Sequence, residues 1–249
     1  MDRPLRYEQA YPVQEVFPDL NPANDTTGAP KAPARRKLFG FNRSLPTPLV
    51  ELGDIRATTM NFRNIHEHGT LLARYLETRK SIFIDRLRWQ VCEADGMEYD
   101  QYDTPACSWV VLHEFGEILA GVRLLPTTAK CGVYSYMLRD AQRGVLAGIP
   151  TDILFFDAPV KSNIWEASRF FVADGVSSTR RLAVQRELFH QMTVVARENG
   201  ASSILGIVPS VWSRWSRRLG VNASPAGAKF SIDGTVSQSV LFNINSALE

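Results

Sequence analysis

The segment from Ile164 to Val208 constrains the fold more than any other part of the chain. Ile164–Val172 (IWEASRFFV) alternates and is rich in aromatic residues, the pattern of a central strand. Thr179–Glu198 carries a strong helical pattern, stopped by Gly200 where a helix end favours glycine. Ser202–Val208 (SSILGIV) then reads as a strand. Upstream, apolar residues recur at spacings near three and four from Asn61 to about Leu87, predicting a helix. Trp109–His113 and Ile118–Leu125 read as two strands around a turn at Glu114–Glu117. Cys131–Lys161 reads as a long irregular segment. Downstream, Val211–Leu219 reads as a short helix ended by Gly220, and Phe230–Ile232 and Ser239–Ile244 close the sheet. This order predicts a single α/β domain with a twisted mixed sheet flanked by helices.

Eight of the 14 prolines fall in the first 50 residues, and Asn21–Arg36 has almost no large apolar residue. Such a stretch cannot bury enough surface to offset its ordering entropy. Residues 1–52 are therefore expected to be an extended or disordered leader, and residues 53–249 the folded domain.

Several function classes are excluded early. With 249 residues, 45% hydrophobic, the chain can build a full core. A net charge of +2 gives no global attraction for nucleic acid. No apolar run of about 18 residues predicts a membrane span, and the N-terminus lacks a signal-peptide core. Cys92, Cys107 and Cys131 are too far apart for a disulfide framework or zinc ribbon, so a cytoplasmic protein with reduced thiols is expected. His66 and His68 are not spaced as helical zinc ligands, so no metal is expected. Gly-rich phosphate motifs are missing, which argues against NAD and ATP chemistry.

Three polar clusters interrupt the hydrophobic pattern. Arg79 precedes Phe83 and Trp89. Glu98, Asp100 and Asp103 crowd the acidic stretch EADGMEYDQYD. Glu166 and Arg169 sit in the aromatic strand, with Arg123 on a neighbouring strand. Acidic runs are usually solvated loops, and Arg–carboxylate pairs usually hold loops in place. The placement of Glu166 shifts that balance, because a carboxylate among Trp165, Phe170 and Phe171 is hard to keep in water.

Four motifs in this order resemble the LuxI-type acyl-homoserine-lactone synthases: R-x-x-x-F-x-x-x-x-x-W from Arg79, E-x-D-x-x-D from Glu98, V-R-L-L-P-T-T from Val122 and W-E-x-S-R-F from Trp165. The resemblance runs from about Tyr75 to Leu219. It implies an N-acetyltransferase-like fold with a cleft where two central strands splay apart. It also implies transfer of an acyl group from acyl carrier protein, in some members acyl-CoA, to the amine of S-adenosylmethionine. Lactonisation then releases methylthioadenosine. Both molecules are substrates, so no cofactor is expected, and the enzyme is expected to act as a monomer without nucleic acid or membrane.

The same resemblance implies roles for residues. Phe83, Trp89, Glu98 and Asp103 suit the sulfonium and ammonium of S-adenosylmethionine by cation–π and Coulomb attraction. Arg79 or Arg123 suits its carboxylate. Arg169 pairs with the acidic loop and fixes its shape. The base that deprotonates the amine is Glu166, directly or through one water, with Asp100 the other candidate. Phe170, Phe189, Val208, Trp212 and Trp215 would line an acyl pocket. Val208 stands where relatives that make 3-oxo products tend to carry Thr, which predicts unsubstituted acyl chains. The apolar lining predicts medium to long chains, while the bulk of two tryptophans sets the opposite limit.

Val176–Gly220 carries a local charge excess of +5. Acyl carrier proteins are acidic, so Arg180, Arg181, Arg214, Arg217 and Arg218 are the expected docking residues. Two departures stand out. Gln142 occupies a position where many relatives carry Phe, and Gly144–Asn163 is longer than in the family. An N-acyltransferase for another amine, without lactonisation, is the alternative enzyme. A non-catalytic binding relative is disfavoured by the intact carboxylate set.

Overall fold

The computed structural model describes residues 54–213, 216, 221–232 and 234–245. The leader expected over 1–52 lies outside the described residues, as do Arg214, Trp215, Arg217 and Arg218.

The expected mixed α/β sheet is present. Its seven strands are β1 (Arg56–Met60), β4 (Ser108–Glu114), β5 (Glu117–Pro126), β6 (Ile164–Val172), β7 (Ser203–Pro209), β8 (Ala223–Ile232) and β9 (Thr235–Asn243). They lie in the order β1-β4-β5-β6-β7-β9-β8. A separate hairpin pairs β2 (Glu93–Ala94) with β3 (Met97–Glu98). The helices are α1 (Leu71–Arg79), α2 (Met137–Gln142) and α3 (Ser178–Glu198). Among the described residues, no helix is long and apolar enough to cross a membrane.

β6 and β7 are the only parallel neighbours in this sheet, and α3 joins them. Their pairing covers Ile164–Ala167 against Ser203–Gly206 and stops there, although β6 runs to Val172 and β7 to Pro209. Beyond Ala167 and Gly206 the strands part. One core lies on the α3 face, with Trp165, Val184, Leu188, Phe189 and Phe242 buried in it. The other lies under α1, with Tyr75, Phe83, Trp109, Phe171 and Leu205. Gly121 permits the second packing. A Cβ there would lie 2.5 Å from the Tyr75 ring, so any side chain would push α1 off the sheet.

The elements depart from the sequence reading in five places. The helix expected from Asn61 to Leu87 divides into a 3₁₀ turn at Ile65–Glu67, α1, and a π-helical stretch at Lys80–Arg86. The acidic run contains the β2–β3 hairpin, turned by Asp95 and Gly96 with φ of 52° and 79°. Asp-Gly with both residues left-handed is a strong hairpin signal. Tyr136 leads the chain into α2 inside the segment read as irregular. β8 begins at Ala223 rather than Phe230, and β1 had no expected counterpart.

Candidate active site

A bulge in β6 organises the site. Gly121 pairs with Phe171 and Arg123 with Ser168, so Arg169 and Phe170 together face the single residue Val122. Arg169 has a φ of 56°, a left-handed conformation that costs a non-glycine residue energy. The extra residue shifts the alternation. Glu166, Ser168, Arg169 and Phe171 consequently share the α1 face, while Trp165, Ala167, Phe170 and Val172 face α3.

On the α1 face, three arginines and three carboxylates form one buried network. Arg79 donates from Nε to Glu98 Oε2 at 2.5 Å, and its two Nη groups grip Asp103 at 2.8 and 3.0 Å. Arg123 holds Asp100 with both Nη groups and reaches Ser168 Oγ at 3.1 Å and Asp103 at 2.9 Å. Arg169 donates to Glu98 Oε1 at 2.9 Å and pairs with Asp100 at 3.0 Å. Trp109 Nε1 adds a hydrogen bond to Asp103. Arg79, Arg123 and Glu98 are fully buried. Burial alone would raise the Asp100 carboxyl, but Arg123 and Arg169 beside it outweigh burial and hold it below the ordinary range. The same balance, with Arg123 and Arg79, lowers Asp103.

This pairing changes the expected electrostatics. The acidic residues do not present free charge to a cleft, because each is matched by guanidinium. Arg79 and Arg123, expected as alternatives for a substrate carboxylate, lie entirely inside the protein. The stacked Phe83–Trp89 pair, with centroids 4.8 Å apart, is already covered by a cation: the Arg169 guanidinium lies 5.3 Å from one ring and 5.6 Å from the other. The wide turn after α1 makes that stack. On a regular helix, residues six apart point about 120° away from each other. Here Trp89 N–H bonds back to Phe83 O at 2.8 Å and folds one ring onto the other.

Phe83, Trp89 and Arg169 do line a cleft of about 450 Å³, with Gln90, Met137, Ile149, Ser168 and Val208 among its other walls. Glu166 stands beside it, fully buried, with its oxygens accepting N–H bonds from Met137 at 3.0 Å and Leu138 at 2.8 Å. Burial pushes its carboxyl up to about 7, against the opposing pull of those two N–H groups and Arg123. Gln142, the departure noted above, clamps the long following segment: its amide donates to Phe156 O at 2.9 Å and accepts from Ala158 N–H at 2.7 Å.

On the α3 face, an apolar pocket of about 50 Å³ brings together Phe170, Phe189, Val208 and Trp212 of the expected acyl lining. Trp215 lies outside the described residues. Met192, Phe242 and Gln185 complete the pocket. Their helical and strand positions followed the ordinary core pattern, so nothing in the sequence singled them out. Ala167, Phe170, Ile207 and Val208 belong to both cavities, which meet where β6 and β7 part. Of the basic residues, Arg180 forms a double hydrogen bond with Glu114, and Arg181 donates to the carbonyls of Val172, Ala173 and Val176.

Comparison with known proteins agrees with this architecture. The autoinducer synthase family model matches residues 64–247. An acyl-homoserine-lactone synthase of Ralstonia nicotianae is 34% identical over 66% of this chain and 76% of its own. One of Acinetobacter nosocomialis is 29% identical over 70% and 91%. Among solved structures, TofI in a ternary complex with an inhibitor and MTA is 28% identical, with a TM-score of 0.61 over 77% of this chain and 92% of that one. LasI, at 21% identity and a TM-score of 0.63, covers 77% and 90% and shares the fold. The chain is therefore an enzyme of the autoinducer synthase family.

Proposed function

We propose that this enzyme transfers an acyl group from acyl carrier protein to the amine of S-adenosylmethionine, and that the product closes to an N-acyl-homoserine lactone with release of methylthioadenosine. The observation that carries this reading is the junction of the two cavities. A larger cleft, mostly apolar but edged by Arg169, Ser168 and Gln90, meets a small apolar pocket at the gap between β6 and β7. Two substrates can meet there, one anchored by those polar side chains and one hydrocarbon. The MTA held by TofI supports an adenosyl substrate for the larger cleft.

Arg169 is the best-placed cation for the substrate carboxylate. Its Nε and Nη2 serve Glu98 and Asp100, and it lies on the cleft wall. The buried network behind it is a positioning device. It holds a strained Arg169 in place so that no reorganisation is needed when substrate arrives. Glu166 takes the proton from the amine through one bridging water, since its raised pKa keeps proton transfer near balance at neutral pH. Asp100, clamped by two guanidiniums, is the weaker base. A backbone N–H freed at the parting strands stabilises the thioester oxyanion. Holding the carboxylate near the sulfonium-bearing carbon favours ring closure by proximity.

The purified protein, given S-adenosylmethionine and hexanoyl acyl carrier protein, is expected to release methylthioadenosine and acyl-homoserine lactone in equal amounts. Acylation of an amine without methylthioadenosine would establish the alternative acyltransferase. The local excess of positive charge from Val176 to Gly220 supports carrier protein as donor. Exposed charges are screened beyond about 8 Å at physiological salt. The KM for acyl carrier protein should thus rise steeply with salt and the KM for S-adenosylmethionine much less. A salt-independent KM, or equal use of acyl-CoA, would remove the electrostatic docking argument.

The small apolar pocket supports short acyl chains rather than the medium to long ones its lining suggests. Its volume of about 50 Å³ holds roughly four water-sized atoms. Trp212 borders its mouth in a fixed pose, donating its indole N–H to Gln238 Oε1 at 2.8 Å, and Phe189 against Phe242 forms its floor. Phe189→Leu should therefore extend the accepted chain. Each added methylene is worth about 0.8 kcal/mol, or roughly fourfold in kcat/KM. Competition between hexanoyl and decanoyl donors measures the shift, and an unchanged ratio means that Phe189 is not the stop.

A further inference from the structure

Gln185 is the feature of the apolar pocket that hydrocarbon does not explain. It lies on α3, is 7% exposed, and lines the pocket with Phe170, Phe189, Met192, Val208 and Trp212. Its amide makes no hydrogen bond with the described residues. The other side chain in that wall with an N–H group, Trp212, has committed it to Gln238. The amide keeps accessible surface on the pocket wall, and a chain of pure methylene would cover it without pairing it, which is costly.

Its height along the pocket narrows what it can read. α3 leaves the end of β6 and returns to the start of β7. Because those strands are parallel, its early turns lie at the end where they part. Gln185 precedes Phe189 by one turn and Met192 by two, about 6 and 10 Å along the helix. Phe242, opposite Ile204 in register, lies at the closed end with Phe189 stacked edge-on against it. An acyl chain entering from the gap passes Gln185 first and the aromatic floor last.

We propose that Gln185 is a specificity-determining residue that hydrogen-bonds an oxygen on the acyl chain close to the thioester, at the third carbon. The inference rests on the acyl-transfer reading above. Val208 has threonine's shape but no donor, and Gln185 supplies from the helix what the strand lacks. An amide has both a donor and an acceptor, so it accommodates a 3-oxo group, which accepts, or a 3-hydroxyl, which does both. The acyl preference is thereby the reverse of the one that Val208 alone suggests.

The test is competition among matched hexanoyl, 3-oxohexanoyl and 3-hydroxyhexanoyl acyl carrier proteins, read as methylthioadenosine release and as lactone by mass spectrometry. The wild-type enzyme should favour at least one oxygenated donor by about tenfold in kcat/KM, the scale of one hydrogen bond. Gln185→Met keeps the side-chain length and should bring the ratio of oxygenated to plain donors close to one. Gln185→Leu, with its melting temperature recorded, guards against a packing artefact of one variant. A wild-type preference for hexanoyl, or a ratio unchanged in both variants, overturns the role of Gln185. Absence of lactone from all three donors, with acyl-CoA thioesters inert as well, instead overturns the acyl-transfer reading itself.

Discussion

Replacing Glu166 with glutamine is expected to lower kcat by about 10²–10⁴-fold, the usual cost of a lost general base. The substitution keeps the size of the side chain but puts an amide N–H against a backbone N–H, since Met137 and Leu138 both donate to the native carboxylate. That mismatch costs about 1–3 kcal/mol of stability, so circular dichroism and S-adenosylmethionine binding must accompany the rate. The pH profile separates a base from a structural anchor. A base must be ionised, and burial pushes this carboxyl up to about 7. Wild-type kcat/KM should therefore climb as pH rises towards 7 and level off above it. The same shift acts on stability with the opposite sense. From the ordinary value of 4.5 up to about 7 the folded state holds a proton that the unfolded chain has released, so raising the pH through that window costs stability. A folded variant that keeps more than about a tenth of the rate would show that the base lies elsewhere.

Arg79→Met should destabilise the fold by about 3–5 kcal/mol, because removing one member of a buried ion network strands its partners. Glu98 would lose its 2.5 Å bond from Nε, and Asp103 both of its bonds from Nη. A typical domain has only about 5–15 kcal/mol to lose. Urea denaturation of the two proteins measures the difference. Arg79→Lys keeps a charge but not the forked grip on Asp103, so it should fall between them. Acid acts on the same contacts. Asp103 has its folded pKa lowered, so its contribution is present above the ordinary aspartate value of 3.8 and is lost as pH falls below it. In the Met variant that acid sensitivity should shrink. A loss below about 1 kcal/mol would mean that the network is worth no more than solvated surface pairs.

Much of the framework was legible in the chain alone. β6 begins and ends where its alternation does, and α3 stops before Gly200. Four of the five expected pocket residues line one cavity, because helix and strand periodicities place side chains on faces without reference to the rest of the fold. The Asp95–Gly96 hairpin was also written there, hidden by the acidic residues around it. α2 was not, since six residues carry too little pattern to separate a helix from a loop. Gln185 was not either, since a polar residue on a core helix has no signature before its neighbours are known.

Local periodicity therefore determined the strands, the long helix and the kinds of side chain on each face. The partners of the charges were decided elsewhere. In an unbroken strand Arg169 would point away from Glu166, towards α3. One bulge opposite Val122 turns it onto the α1 face, where it meets Glu98, 71 residues earlier in the chain. Arg79 meets Asp103 across 24 residues, and Arg123 meets Asp100 across 23. A salt bridge depends on the distance between two groups, and sequence spacing does not set that distance for residues on different elements. Strand register, one left-handed residue and the parting of β6 from β7 set it, and only the assembled sheet contains them.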